Sequence, residues 1–283
     1  MPNYPAPKSL KPLSVGNVVT AAIQLFRSHF KQYLGLTLRA YLWVLVPFYG
    51  WAKFLMIHAM ISRLAFGDLM GQPESEAEAR GQLEDKKWGF LGLAFLVGLI
   101  SFGVVIGFYF ALIILVLLGV VIASVVGQDN IAVLVILGIL GFIAFMLFLV
   151  GITWVYSRLM ISELPFAIES ISNAAASVGR SWELTKGYVL RIQGIVIVAF
   201  LMTLPLQIIT QALAFIFQIF LGRFFSEESP LFLLISILSG YLIGIGSSLF
   251  IVPFWQAIKA VIYYDVRNRT EGLGLEISDR PLT

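Results

Sequence analysis

Long apolar runs broken by short polar segments set the pattern of this chain. Residues 88–128 carry no charged side chain, and neither do 130–157, 192–222 or 231–258. A helix needs roughly 20 apolar residues to cross a bilayer, so each run predicts a membrane helix. Asp129 alone separates the first two runs, within GQDN at 127–130, which reads as a tight turn. The polar stretch RFFSEESP at 223–230 separates the second pair in the same way. The run 88–128 is too long for a straight crossing and must tilt, protrude or break near Gly103 and Gly107. Gly98, Gly103 and Gly107 also suggest close helix packing. Residues 33–66 are apolar but contain Arg39, Lys53, His58 and Arg63, and VPFYG at 46–50 predicts a kink or turn. This segment reads as a short hairpin, with a single span followed by an interfacial helix as the alternative. Arg39 or Lys53 would then snorkel to the headgroup region.

The polar segments predict surface helices. Ser14 suits an N-cap, and Val15, Val18, Val19, Ala22, Phe26, Phe30 and Tyr33 share one face of a helix over 14–33. Ser75 and Glu78 match a capping box at the start of a second helix that ends at Trp88. The longest polar interruption of the C-terminal two-thirds, 158–191, predicts an amphipathic helix entered at Pro165 and stopped at Gly187. Ile168, Ile171, Ala175, Val178 and Trp182 form its apolar stripe. Such a helix either faces lipid or a partner, or packs as a connector on its own bundle.

Composition sharpens the class. The chain is 59% hydrophobic and 12% charged, where a soluble domain carries about 25% charged residues, and its mean hydropathy is +0.92. The expectation is an all-α polytopic membrane bundle of about six transmembrane helices, with five as the alternative, plus interfacial helices. Residues 14–266 form its single domain, between a Pro-rich tail at 1–13 and a short polar tail at 267–283. No apolar core and cleavage site follow the basic start, so no signal peptide is expected. Cysteine is absent, which excludes disulfides and thiolate metal sites, and His29 and His58 lack a metal-ligand spacing. No metal, cofactor or nucleic-acid partner is expected. Lys8, Lys11, Arg27, Lys31, Arg63, Arg80, Lys86, Lys87, Arg158, Arg180, Lys186, Arg191, Lys259, Arg267, Arg269 and Arg280 fall on one side of a three-hairpin plan, which predicts a cytoplasmic basic face bearing both termini. The host membrane is expected to be a plasma (inner) membrane or a thylakoid.

Two stretches match each other. Val46 to Lys53 (VPFYGWAK) parallels Val252 to Lys259 (VPFWQAIK), and LVGITWVYSR ending at Arg158 is a weaker third copy. With the three surface helices this suggests a threefold repeat of surface helix plus hairpin. Lys53, Arg158 and Lys259 are then candidate contacts to lipid phosphate, weighed against simple interfacial anchoring. Glu163, Glu169 and Glu183 read as salt-bridged loop charges near Arg158, Arg180 and Lys186. Asp265, Arg267, Arg269 and Glu271 read as anchors of the last helix.

VIYYDVRNRTEGLGLEI at 261–277 resembles the closing segment of the glycerophosphoryl diester phosphodiesterase membrane-domain family. The matching residues are Tyr263, Tyr264, Asp265, Arg267, Arg269, Glu271 and Gly272. RSWELTKGYVLRI, with Arg180, Trp182 and Lys186, is similar to that family's other recognisable stretch, and 12–31 to its opening. The resemblance implies a membrane part only. The chain ends soon after Glu276, so no phosphodiesterase activity is implied, and no catalytic motif stands elsewhere in the sequence. The expectation is a non-enzymatic membrane protein that binds membrane lipid, anionic lipid among it, or a membrane-protein partner at its basic face. A transporter or channel for a small molecule or lipid is the alternative. A cavity lined by Arg39, Lys53 or Lys259 at mid-depth would favour transport, and a solid core with a basic face would favour binding.

Overall fold

The computed structural model describes residues 14–126 and 131–272. The expected N-terminal tail, the GQDN turn and everything beyond Gly272 lie outside the described residues. Among them every regular element is a helix: α1 (Val15–Ser28), α2 (Phe30–Val44), α3 (Tyr49–Leu69), α4 (Glu76–Glu84), α5 (Lys87–Val126), α6 (Ile131–Leu159), α7 (Glu163–Ile168), α8 (Ala174–Leu184), α9 (Val189–Leu221) and α10 (Pro230–Glu271). The protein is a helical membrane bundle. Four helices, α5, α6, α9 and α10, are long and apolar enough to cross a membrane.

Six such helices were expected. The difference lies in the first hairpin. α2 and α3 do pack on each other, through Tyr41 on Phe54 at 5.4 Å and Trp43 on Tyr49 at 5.7 Å. But α2 has 15 residues, about 22 Å of helix, short of the roughly 30 Å hydrocarbon layer. α3 carries Lys53, His58, Arg63 and Asp68 and is buried along most of its length.

The turn between them is tight. Tyr49 N donates to Pro47 O at 2.7 Å across Phe48, which sits at φ 57°, ψ −67°. That is a γ-turn with positive φ at its centre, a conformation that costs about 1–3 kcal/mol in a non-glycine residue. Gly50 is obligatory there, since a Cβ would lie 1.8 Å from Trp43 O.

The core sits at one end of the spans. It joins α1, α3, α4 and α7 to the first turns of α5 (Phe90, Leu93), the start of α9 (Ile192, Ile195) and the C-terminal half of α10 (Phe254 to Val266). Phe26 of α1 and Phe30 at the start of α2 meet Phe254 and Phe250 of α10, so the chain leaving α1 runs antiparallel to α10. Beyond the core, the four long helices expose Phe95, Tyr109, Phe142, Phe215 and Leu233. This is the surface expected of helices solvated by lipid rather than water. α5 runs unbroken for 40 residues. A Cβ at Gly98, Gly103 or Gly107 would touch nothing, so these glycines serve neither a break nor close packing.

Caps follow the sequence. Ser14 accepts from Asn17 N, Ser75 and Glu78 form the full capping box, and Asn173 caps α8. Three boundaries differ. The helix expected over 14–33 breaks at His29 (φ −112°, ψ 24°), where the imidazole stacks on Tyr33 and meets Asp68 at 3.3 Å. The helix expected within 158–191 is two, because the backbone is extended at Glu169, whose carboxylate is held by Arg180 and Tyr263. Of the expected stripe, Ile168, Ile171 and Val178 pack against the core while Ala175 and Trp182 are exposed; Ser177 and Ser181 are buried deeper, and their hydroxyls donate to Ser162 O and Arg158 O at 2.5 and 2.6 Å. The last helix continues past 266 to Glu271, held by i,i+4 pairs Asp265–Arg269 and Arg267–Glu271. Gly272 closes it at φ 66°. The matched octapeptides do not fold alike: 46–53 bends through the γ-turn while 252–259 is continuous helix. Among the described residues the matched octapeptides do not mark a structural repeat.

Candidate functional site

Three clusters of charge lie at the core end. The first gathers residues of two of the three family-resembling stretches, 180–192 and 261–277, around Glu169. Arg180 pairs with Glu169 at 3.1 Å and with Glu271. Arg267 pairs with Glu271 at 2.8 Å, and Tyr263 Oη donates to Glu169 at 2.5 Å. Asp265 is buried between Arg191 at 2.9 Å and Arg269 at 3.1 Å. Tyr264 packs on Phe66, Gly272 is the helix cap, and Lys186 stands exposed beside them. Every carboxylate here is matched by an arginine, so the cluster ties α8 and α9 to α10.

The second cluster lies beneath α3. Lys259 is paired with Glu163 at 3.0 Å, and Ser62 Oγ lies 3.1 Å from the same carboxylate and donates to Gln256 Oε1 at 2.6 Å. Lys259 and Glu163 face a cavity of about 310 Å³ shared with Tyr156 and Ser101. Nearby, His58 is buried against Phe54 and Tyr41 at 4.1 and 6.3 Å, and its Nε2 has no partner. Burial, reinforced by the Lys259 charge, pushes its pKa down to about 3. His58 is neutral.

The third cluster flanks the γ-turn. A cavity of about 400 Å³ is lined by Arg39, Lys53 and Arg80 together with Leu36, Leu42, Trp43, Val46, Met56 and Ile57. Arg39 grips Glu76 with both guanidinium arms at 2.5 and 3.0 Å, and Arg80 adds a third bond at 2.6 Å. Lys53 pairs with Glu84 at 2.5 Å, as does Lys87 at 3.1 Å. The ammonium of Lys53 also lies 5.8 Å from the Trp43 and Tyr49 rings. The Arg39 hydrogen bond holds the Glu76 carboxyl below the usual range, and the Lys53 hydrogen bond does the same for Glu84. Four cations thus face two carboxylates, a local excess of positive charge. Beside the cavity the hairpin tip exposes Leu45 (72%) and Phe48 (66%).

The candidate contacts Lys53, Arg158 and Lys259 do not converge. Lys53 lines one cavity and Lys259 another. Arg158 is buried between Trp154 and Trp182, 5.1 and 4.9 Å from their centroids, and donates to Trp182 O at 2.7 Å. Sequence reasoning missed Arg80 as a partner of Lys53 and Arg39. Arg80 lies on the capped helix α4, and only the pairing of Arg39 with Glu76, 37 positions away, reveals the connection. Among the described residues no three His, Cys, Asp or Glu side chains gather to hold a metal. Comparison with protein-family models, with curated proteins and with solved structures finds no match.

Proposed function

We propose that this chain binds the anionic headgroup of a membrane lipid in the cavity of Arg39, Lys53 and Arg80. One observation carries the reading: three cations line a cavity whose remaining lining is apolar, next to an exposed apolar hairpin tip. A phospholipid has that polarity, with phosphate for the cations and chain for the leucines and Trp43. Arg39 presents a planar fork suited to phosphate, and Glu76 and Glu84 hold the cations in place until phosphate competes for them.

In this reading the four long helices cross the membrane and the α2/α3 hairpin dips into one leaflet and returns. An even number of crossings leaves α1 and the end of α10 on one side. The Lys/Arg bias puts that side in the cytoplasm. Lys53 is the headgroup contact, while Arg158 and Lys259 hold the frame. The cavity adjoins Lys87, the first residue of α5, and so lies at the edge of the spans, which supports binding at a face over transport through mid-depth. The role is non-catalytic. Membership of the glycerophosphoryl diester phosphodiesterase membrane-domain family is part of the proposal.

Native mass spectrometry of the full chain with added phosphatidylglycerol tests it. Neutralising Arg39, Lys53 and Arg80 together to Gln removes about 1 kcal/mol per cation, so affinity should fall roughly a hundredfold. Undiminished phosphatidylglycerol binding by a folded triple variant would overturn the proposal. Co-purification of a membrane protein with no lipid dependence would redirect it to a protein partner.

A further inference from the structure

The far halves of α9 and α10 hold a feature that lipid binding at the basic face does not use. Thr203, Gln207, Thr210, Gln211 and Gln218 fall at helical spacing along one face of α9. Ser236, Gly240, Gly244, Ser247 and Ser248 do the same on α10. Between the two stripes lies a groove of about 950 Å³, walled by Gln207, Gln211, Tyr241, Gly244 and Ser248 and lined by no charged residue. Some of its polar groups are satisfied locally: Gln207 Nε2 donates to Thr203 Oγ1 at 3.3 Å, and Thr210 and Ser247 donate to backbone carbonyls. The Gln211 amide and the Tyr241 and Ser248 hydroxyls form no hydrogen bond within the described residues, and the buried Ser236 hydroxyl has no partner either. A Cβ at Gly240 or Gly244 would meet nothing, so these glycines widen the groove rather than admit a neighbouring helix of the same chain.

Depth gives this polarity its meaning. Gln211 stands ten residues from Leu221 and Tyr241 eleven from Pro230, about 15 Å of helix each, half of a roughly 30 Å hydrocarbon layer. An unpaired amide and hydroxyls exposed at that depth are costly and mark a pathway or site. Gln218 stands 15 positions beyond Thr203, about 22 Å of helix, most of the thickness of the layer.

We infer that the α9/α10 groove carries the uncharged, hydroxyl-bearing headgroup of a membrane lipid across the midplane. The acyl chains stay in the surrounding bilayer. The amide of Gln211 and the hydroxyls of Tyr241 and Ser248 replace the water that the headgroup leaves behind. The absence of charge in the lining selects against phosphate, so this substrate class differs from the headgroup bound at the Arg39 cavity.

The full chain in phosphatidylcholine vesicles, with a trace of glucosyl diacylglycerol labelled on its acyl chain with a dithionite-sensitive dye, tests the inference. Dithionite bleaches only the outer leaflet of protein-free vesicles. With the wild-type chain, bleaching should proceed to near completion. Gly244→Leu fills the groove and Gln211→Leu removes its central donor, and both should return bleaching to the protein-free plateau. Gly103→Leu on α5 is the matched control, since a Cβ there also meets nothing, and it should behave as wild type. Neutralising Arg39, Lys53 and Arg80 should leave bleaching intact, which separates the two sites. Wild-type vesicles that bleach only to the protein-free plateau would overturn the inference. So would folded groove variants that bleach like wild type.

Discussion

Replacing Arg158 by alanine removes a guanidinium that the structure uses as a clamp. Arg158 is 8% exposed. It fills the space between the edge-to-face rings of Trp154 and Trp182 and donates to Trp182 O and Thr185 Oγ1 at 2.7 and 3.3 Å. Two cation–π contacts at about 0.5–1 kcal/mol each and one charged hydrogen bond at about 1.5–3 kcal/mol give a loss of roughly 2.5–5 kcal/mol. At about 2–3 °C per kcal/mol for a chain of this size, the melting temperature should fall by roughly 5–15 °C. Thermal unfolding of the detergent-solubilised full chain, followed by tryptophan fluorescence, reads this directly, because two of the reporting indoles are the clamp. Arg158→Lys keeps the charge but not the planar stack or the fork, and should recover less than half of the loss. Phosphatidylglycerol binding measured below the melting point should be unchanged. A variant with wild-type stability and lost lipid binding would refute the reasoning and return Arg158 to the headgroup site.

Other consequences follow from the same structure. His58 titrates near 6.5 when unfolded and at about 3 when folded, so the unfolded chain binds the extra proton. Its contribution to stability is complete above pH 6.5 and is lost progressively as pH falls toward 3. His58→Phe should flatten that part of a pH–stability curve, and an unchanged slope would exclude His58 as its source. Glu163→Leu leaves the Lys259 ammonium unpaired and should cost about 3–5 kcal/mol, while Glu163→Leu with Lys259→Met should recover most of it in a double-mutant thermal series. Gly50→Ala places a Cβ against Trp43 O and should open the hairpin, seen as increased protease cleavage near 45–50 without loss of overall helicity by circular dichroism.

Local rules made much of the fold legible. The apolar runs located the four long helices, and Ser14, Ser75 and Glu78 announced two caps that the structure contains. The hairpin at 33–66 was readable from VPFYG, because proline and glycine act on their own backbone. What failed depended on partners. The break after Glu169 is set by Arg180 and Tyr263, which reach it from α8 and α10. The packed face of α8 is serine because the end of α6 lies close, and a hydrophobicity pattern cannot anticipate a hydroxyl bonded to a carbonyl of another helix. Asp265, Arg267, Arg269 and Glu271 were legible as anchors of the last helix, yet only the fold reveals that Asp265 reaches Arg191 and Glu271 reaches Arg180. Arg39 and Lys53 were singled out, whereas Arg80 was read only as one charge of the basic face and not as their partner. The stripe on α9 hides inside an uncharged run, where a glutamine barely lowers an average.

The contact between Ser62 and Gln256 joins residues 194 positions apart. A ribosome adding about 5–20 residues per second reaches Gln256 roughly 10–40 s after Ser62. During that interval α3 has left the tunnel with the face that will meet α10 uncovered, including Ser62 and Phe66. The last helix is therefore the closing piece of assembly, and nascent chains arrested before Phe254 should be handed to the quality-control proteases of the membrane.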